Sequence, residues 1–192
     1  MPPRIKIQKE EIIETAYDIA KEEGLSKINA REIAKRLNCS IQPIFHNFTN
    51  MEELKEKVIE KIVETYSRYL QEGAKQEKAY KGMGLAYIQF AQDYPRLFYE
   101  LFMLQSNKNI VAYMSEDRNF EKIIEAGRKM TGLSKEEQAK FQQKVWIFTH
   151  GLATMAASQT YQLNTLEIEE LLSSTVGELL AGYQTKKENL KR

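Results

Sequence analysis

Apolar residues recur at spacings of three and four along most of the chain, which is the period of an amphipathic α-helix. Strong helix breakers are sparse, because the four prolines fall only at positions 2, 3, 43 and 95. We find no internal repeat and no low-complexity tract. The pattern therefore predicts an all-α protein of about nine helices.

The N-terminal part carries clear helix start and stop signals. A first helix is predicted over residues 9–23, since Gly24 suits the position just after a helix end. The next helix begins at Asn29, which forms a capping-box-like pair with Glu32 three residues later. A short turn over residues 38–39 follows.

Ser40 is predicted to cap a third short helix over residues 41–47, with Pro43 inside its first turn, where no helical N–H bond is lost. Asn50 repeats the cap pattern and opens a long helix over residues 51–73. This order of elements is typical of a helix-turn-helix DNA-binding module: a short helix, a turn, a second short helix and then a capped long helix.

Five further helices are predicted in the remainder of the chain. They cover residues 80–94, 95–104, 116–130, 135–161 and 166–187. The last one keeps its apolar residues in helical register throughout and must bury a long stripe, while the helix before it carries several small residues that permit close helix approach.

These last two helices predict a homodimer interface formed as a four-helix arrangement about a two-fold axis. The residues expected there are Ala153, Ala157, Tyr161, Leu172, Val176, Leu179 and Tyr183. The alternative is that both helices pack on the core of their own chain.

Composition narrows the function classes. With 192 residues and 42% hydrophobic content the chain can bury a core, while one cysteine and two distant histidines disfavour disulfides, zinc sites and cofactor binding. There is no signal-peptide pattern and no apolar run near the ~20 residues that span a bilayer, so we expect a soluble cytoplasmic protein. No nucleophile–base pair, carboxylate dyad or cofactor loop suggests an enzyme.

The formal net charge of +1 does not by itself indicate a nucleic-acid partner. Any such signal is local, and two groups of basic residues supply it. They are Arg4, Lys6 and Lys9, and then Lys27, Arg31, Lys35 and Arg36 around the single acid Glu32.

One ungapped set of residues in the N-terminal part resembles the tetracycline-repressor (TetR) family. It comprises Ile12-Ile13-Glu14-Thr15-Ala16, Glu23-Gly24, Ile33-Ala34, Leu37, Ser40, Phe45, Phe48 and Glu52-Glu53-Leu54. A weaker likeness extends through residues 90–98 and 146–151. The resemblance implies a three-helix DNA-binding domain over residues 1–50 and a helical ligand-sensing and dimerisation domain over residues 51–192.

The resemblance also implies roles for individual residues. Base edges in the major groove would be met by Ile41, Gln42, Pro43, His46 and Asn47. Phosphates would be met by Arg4, Lys6, Asn29, Arg31, Ser40, Asn50 and Met51. Gln42 is the strongest predicted reader, because an amide can donate to and accept from adenine at once.

Three positions depart from the family pattern, which often has Thr at Asn29, Tyr at Phe45 and Lys at Met51. Two of the three have lost their polar atoms here. We therefore expect weak anchoring to phosphate, or anchoring moved to Arg4, Lys6 and Lys9.

In the C-terminal domain the resemblance implies a pocket for a small, largely apolar effector. The candidates for its wall are Tyr87, Phe90, Tyr94, Phe98, Tyr99, Phe102, Tyr113, Trp146 and His150. The expected function is a repressor that binds a palindromic DNA operator as a homodimer. The alternative is a helical small-molecule-binding or scaffolding protein without specific DNA binding, favoured by the near-zero charge and the lost phosphate contacts.

Overall fold

The computed structural model describes residues 7–104, 118–160 and 164–189. For residues 118–120 and 186–189 it describes the backbone alone. Four predicted site residues are not among the described ones, namely Arg4, Lys6, Tyr113 and Tyr161. In the described residues no helix is long and apolar enough to cross a membrane.

The described residues form α-helices and contain no strand, so the predicted all-α class is confirmed. The helices are α1 (Lys9–Glu23), α2 (Ala30–Arg36), α3 (Gln42–Asn47), α4 (Met51–Ala74), α5 (Ala79–Asp93), α6 (Pro95–Phe102), α7 (Arg118–Thr131), α8 (Lys135–Ala157) and α9 (Thr165–Asn189). A short 3₁₀ turn, Leu25–Lys27, joins α1 to α2.

These helices divide into two compact units. The first contains α1, α2, α3, the part of α4 up to Thr65, and α6 from Arg96. The second contains α4 from Tyr66, together with α5, α7, α8 and α9. These units are defined by how compactly the residues pack and not by function. The assignment of DNA reading to residues 1–50 and of ligand sensing to residues 51–192 therefore stays a prediction.

The first unit is built on the apolar faces that the periodicity predicted. Its fully buried side chains include Ile12, Ile19, Ile33, Ile44, Leu54, Ile62, Leu97 and Phe98. A buried hydrogen bond of 3.0 Å between the hydroxyls of Tyr17 and Thr65 adds a polar tie between α1 and α4.

Two of the three predicted N-caps of this unit are present. The Asn29 side chain accepts the N–H of Glu32 at 3.0 Å, and the Asn50 side chain accepts that of Glu53 at 2.9 Å. The prediction for Ser40 is wrong, because α3 has no side-chain cap and its N-cap position is Ile41. Ile41 already has a helical backbone and supplies the first accepting carbonyl, so Ser40 lies one residue too early.

In the second unit α5 packs against α7, α8 and α9. A buried cluster of Tyr80, Leu133, Phe141 and Val145 forms its centre. Gly73 of α4 and Gly82 of α5 lie so close that a Cβ on Gly73 would be 2.4 Å from the Gly82 carbonyl oxygen. Residues with larger side chains would push these two helices apart.

Five of the seven residues predicted for a dimer interface also pack within the single chain, and Ala157 is half-buried. Ala153 and Leu172 are buried within the single chain, and Val176, Leu179 and Tyr183 pack against the buried cluster. The Tyr183 ring meets Phe141 edge-on, with centroids 5.7 Å apart. The stripe of α9 thus covers part of the chain's own core, and its role in a dimer interface stays a prediction.

Candidate functional site

α3 exposes most of the side chains predicted to read bases. Ile44 is its one fully buried residue, which anchors the helix, whereas Gln42 and His46 are exposed. Asn47 is half-buried, and its amide donates to the carbonyl of Pro43 at 2.8 Å. The amide of Asn47 thus has one donor engaged within the helix, while Gln42 keeps its side chain in solvent.

The residues predicted to meet phosphates differ in how free they are. Both polar atoms of the Asn29 amide are engaged, since Oδ1 caps α2 and Nδ2 donates to the Lys27 carbonyl at 3.0 Å. The side-chain oxygen of Asn50 accepts the hydrogen bond that caps α4. Met51, the first residue of that helix, is half-buried. Arg31 and Ser40 are exposed.

Arg36 is neutralised by three carboxylates, which the sequence analysis missed. Its guanidinium lies 2.7 Å from Glu22, 3.1 Å from Glu23 and 3.2 Å from Glu32. The hydrogen bond with Glu22 is the main reason that the pKa of Arg36 is raised. Arg36 therefore joins α1 to α2 and is not available as a phosphate anchor.

Lys9 is also engaged, 3.6 Å from a Glu53 oxygen and 4.7 Å from the centre of the Phe48 ring. The Thr49 backbone N–H, and to a smaller extent Lys9, lower the pKa of Glu53. Among the described residues of the first unit, cations without an ion pair remain near α2. They are Lys27, Arg31 and Lys35, and Arg96 on α6 is a further one.

The second unit contains a cavity of about 830 Å³. It is enclosed by the end of α4 and by α5, α7, α8 and α9, and its walls are mostly apolar. Representative lining residues are Tyr66, Leu70, Met83, Tyr87, Ile123, Val145, Trp146, Leu172, Val176 and Leu180. This volume is in the range of small-molecule binding pockets.

Two hydrogen-bonded tyrosines supply polar groups to the cavity wall. The Tyr80 hydroxyl donates to Oε1 of Gln142 at 2.5 Å, which fixes the Gln142 amide. The Tyr87 hydroxyl lies 2.9 Å from Nδ1 of His150, and the His150 ring stacks on Trp146 with centroids 4.9 Å apart. Burial raises the pKa of both tyrosines and lowers that of His150, so all three are neutral near pH 7.

The rim of the cavity carries both signs of charge. Lys129 pairs with Glu125 at 2.9 Å, and Lys81 pairs with Glu169. Lys78, Lys122 and Glu77 also line the cavity. Charged groups thus surround an entrance to an apolar interior, an arrangement suited to a ligand with an apolar body.

The structure brings only part of the predicted pocket together. Tyr87 and Trp146 line the cavity, and His150 lies directly behind them. Phe90 and Tyr94 do not line it but form an aromatic cluster with Tyr66 and Tyr69.

Three further residues predicted for a pocket do not line this cavity. Phe98, Tyr99 and Phe102 belong to α6 of the first unit, where Phe98 is core and Tyr99 is exposed. The lining residues that sequence reasoning missed include Gln142 and Thr149, which share one face of α8 with Val145. Their signal was available, because polar residues at helical spacing within an apolar face mark a wall with polar groups.

Residues 12–58 match the family model described as bacterial regulatory proteins, tetR family. This segment runs from α1 into α4 and contains the helix-turn-helix. No curated protein sequence matches the chain.

Solved structures match nearly the full chain. A TetR-like transcriptional regulator from Rhodococcus sp. RHA1 aligns with a TM-score of 0.68 at 15% identity, covering 95% of this chain and 99% of its own. A second transcriptional regulator from Rhodococcus sp. Rha1 gives 0.66 at 19% identity, with 92% and 97% covered. The ketosteroid transcriptional regulator of Mycobacterium tuberculosis gives 0.53 at 14% identity, with 93% and 96% covered.

At these identities the similarity concerns the fold, and the N-terminal match adds the family's DNA-binding segment. The resemblance seen in the sequence is confirmed: the chain carries the tetR-family N-terminal domain on the fold of TetR-like transcriptional regulators.

Proposed function

We propose that this protein is a transcriptional repressor that binds a palindromic operator as a homodimer and leaves it when a small, largely apolar effector binds. One observation carries the proposal. A helix-turn-helix with an exposed α3 and a largely apolar cavity of about 830 Å³ occur in separate compact units of one chain.

The connectivity supplies a route between the two functions. α4 starts next to the helix-turn-helix and ends in the cavity wall, where Leu70 and Ala74 line it. α5 lines the same cavity and leads into α6 of the first unit through Pro95. An effector that favours one arrangement of α4 and α5 would thereby favour one position of α3.

A second copy of the chain is the partner that we propose for the outward face of α8 and α9. Ile147, Gly151 and Met155 follow one another at intervals of four on α8, and Leu171 is exposed on α9. A Cβ on Gly151 or on Gly182 would meet no atom within 4 Å, so these positions leave room for a helix from another subunit. For binding to a palindromic operator, such a dimer would have to hold its two recognition helices about 34–36 Å apart, one turn of DNA.

The effector would act by population shift. A coupling free energy of about 1–3 kcal/mol between the sites changes operator affinity by about 5- to 150-fold, and DNA must weaken effector binding by the same factor. Gln142, held by Tyr80, and Tyr87, held by His150, are the wall groups proposed to orient the effector.

The test starts with selection from random duplex DNA by the full-length protein, followed by screening of apolar compounds for release of the selected operator. We expect the selection to enrich an inverted repeat. The operator should lower the affinity of the protein for the effector by the same factor by which the effector lowers its affinity for the operator. Equal effector affinities with and without operator would refute the coupling.

A helical small-molecule-binding protein without specific DNA binding is the second candidate. Two observations favour it, the neutralisation of Arg36 by three carboxylates and the absence of a polar group on Phe45 and Met51. Failure of the selection to enrich any sequence, while the cavity still binds compounds, would identify this candidate as correct.

A further inference from the structure

Two large apolar side chains stand exposed together on α3. Ile41 is 45% exposed and Phe45 is 49% exposed, although the same helix buries Ile44 completely. They are four residues apart, and the N–H of Phe45 points to the Ile41 carbonyl at 3.5 Å, so they share one face of the helix. Folding of the first unit leaves this pair available for a partner with apolar groups.

The charges of the helix-turn-helix suit an anionic partner for this pair. Gln42 and His46 are exposed beside it, and the described residues of α3 include no acid. Three cations without an ion pair among the described residues, Lys27, Arg31 and Lys35, belong to α2 and the turn before it, the segment that precedes α3 in the helix-turn-helix. An exposed apolar pair beside hydrogen-bonding groups, in a module that also carries unpaired cations, is complementary to a polyanion with apolar features.

The major groove of DNA offers one such feature, the 5-methyl group of thymine. We propose that Ile41 and Phe45 are specificity-determining residues that recognise thymine methyl groups in each operator half-site, beside the base that Gln42 reads. Phe45 has no hydroxyl with which to hold a phosphate, so its exposed ring is used for this apolar contact. The inference rests on the proposed DNA binding and adds which bases are read and by what chemistry.

The experiment removes the methyl groups one at a time. After an operator has been selected from random duplex DNA, each thymine of the half-sites is replaced by deoxyuridine, which keeps every hydrogen-bonding group and loses only the methyl. Burial of one methyl group corresponds to about a fourfold change in affinity. We expect a loss of this size at one or two thymines per half-site, and no loss for substitutions outside the half-sites.

Protein variants then assign each methyl to a side chain. In Ile41→Ala or Phe45→Ala, the loss caused by deoxyuridine at the contacted position should disappear, because the partner of the methyl is gone. Met103→Ala is the matched control, an exposed apolar residue of the same unit outside α3. It should keep the full deoxyuridine effect, and circular dichroism checks that all variants are folded.

The outcomes separate the two levels of the proposal. If no duplex is enriched, the proposed DNA binding is wrong and this inference goes with it. If an operator is enriched but deoxyuridine at every half-site position leaves affinity unchanged, DNA binding stands and methyl recognition is overturned. The deoxyuridine series uses the wild-type chain, so it decides even if an alanine variant does not fold.

Discussion

Glu100 is a buried carboxylate that holds the connection between α1 and α2. It is only 8% exposed, and its Oε1 accepts the Leu25 N–H at 2.8 Å. Gly24 is required beside it, because its φ is +94° and a Cβ there would lie 2.8 Å from the same oxygen. One residue of α6 thus fixes the entry to the helix-turn-helix.

Replacing Glu100 by Ala should destabilise the protein by about 1–3 kcal/mol, since the buried Leu25 N–H would lose its acceptor. Glu100→Gln is the control, because its amide oxygen can still accept that N–H and should recover much of the loss. Urea denaturation followed by circular dichroism measures both. Equal destabilisation by the two variants would show that the hydrogen bond is unimportant.

His150 should make the stability of the protein depend on pH. Burial lowers its pKa below the ordinary 6.5, so the unfolded chain binds a proton more readily than the native one. This contribution is fully present above about pH 6.5 and is lost as the pH falls from there toward the native pKa. The loss should be smaller in His150→Phe, which cannot titrate.

Melting temperatures of the wild type and His150→Phe, compared between about pH 7.5 and 5.5, test this expectation. The other histidine, His46, is present in both proteins, so its effect cancels in the comparison. Identical pH profiles would mean that the neutral His150 does not contribute.

Single residues could be predicted from the sequence where their partners are local. The caps of Asn29 and Asn50 involve a residue three positions away, which is a fixed distance in a helix start. Arg36 was misjudged because its carboxylates at Glu22 and Glu23 are on another helix. Such pairs depend on how helices pack, which periodicity does not report.

At the scale of the helices, periodicity located the buried faces but not what covers them. The stripe of α9 was predicted for a dimer interface, yet Leu172 lies in the chain's own core. The order of the helices in the described residues was predictable because breakers and caps are local signals. The cavity was only partly accessible, because its walls come from five helices, and α6 could not be excluded from them by its aromatic content alone.

The outward face of α8 gives a prediction about assembly. Ile147 is 59% exposed, and Ile147→Glu should place a charge in the proposed dimer interface. Burying such a side chain contributes about 1.5–3 kcal/mol, so the dimer dissociation constant should rise at least about tenfold. Met103→Glu changes an exposed residue of the first unit and should leave it unchanged. Sedimentation equilibrium measures both, and an unaffected Ile147→Glu dimer would place the interface elsewhere.

A larger side chain at Gly84 of α5 would extend into the cavity. The glycine itself lines the cavity, and a Cβ there would be 3.8 Å from the nearest atom, Cδ1 of Leu172, an ordinary contact. Gly84→Ala should stabilise the protein by up to about 1 kcal/mol through helix propensity and leave the cavity open. Gly84→Phe should fill the part of the cavity beside Leu172.

Trp146, the one tryptophan of the chain, lines this cavity and reports its occupancy. Anilinonaphthalene sulfonate, a fluorescent probe with apolar aromatic rings and one sulfonate, should quench Trp146 emission in the wild type and in Gly84→Ala by energy transfer. The Gly84→Phe variant should show little quenching. Equal quenching in all three proteins would mean that the probe binds outside the cavity.

For the whole molecule, the net charge of +1 does not show which cations are paired with carboxylates and which are not. Many cations are paired within the described residues, among them Arg36 and Lys9, so the lysines and arginines near the helix-turn-helix are not equally able to meet phosphate. Affinity for DNA should then depend on few cations, and its salt dependence should identify them. The logarithm of the binding constant falls with the logarithm of salt concentration by about 0.9 per neutralised phosphate.

Arg31→Gln and Arg36→Gln form a matched pair for this test, since each removes one arginine from α2. Arg31 forms no ion pair among the described residues, so its loss from both subunits of a dimer should reduce the salt slope by about 1.8. Arg36 is held by Glu22, Glu23 and Glu32, and its loss should lower stability while leaving the slope unchanged. Operator binding measured across a salt series gives both slopes. A smaller slope for Arg36→Gln than for Arg31→Gln would mean that DNA recruits Arg36 away from its carboxylates.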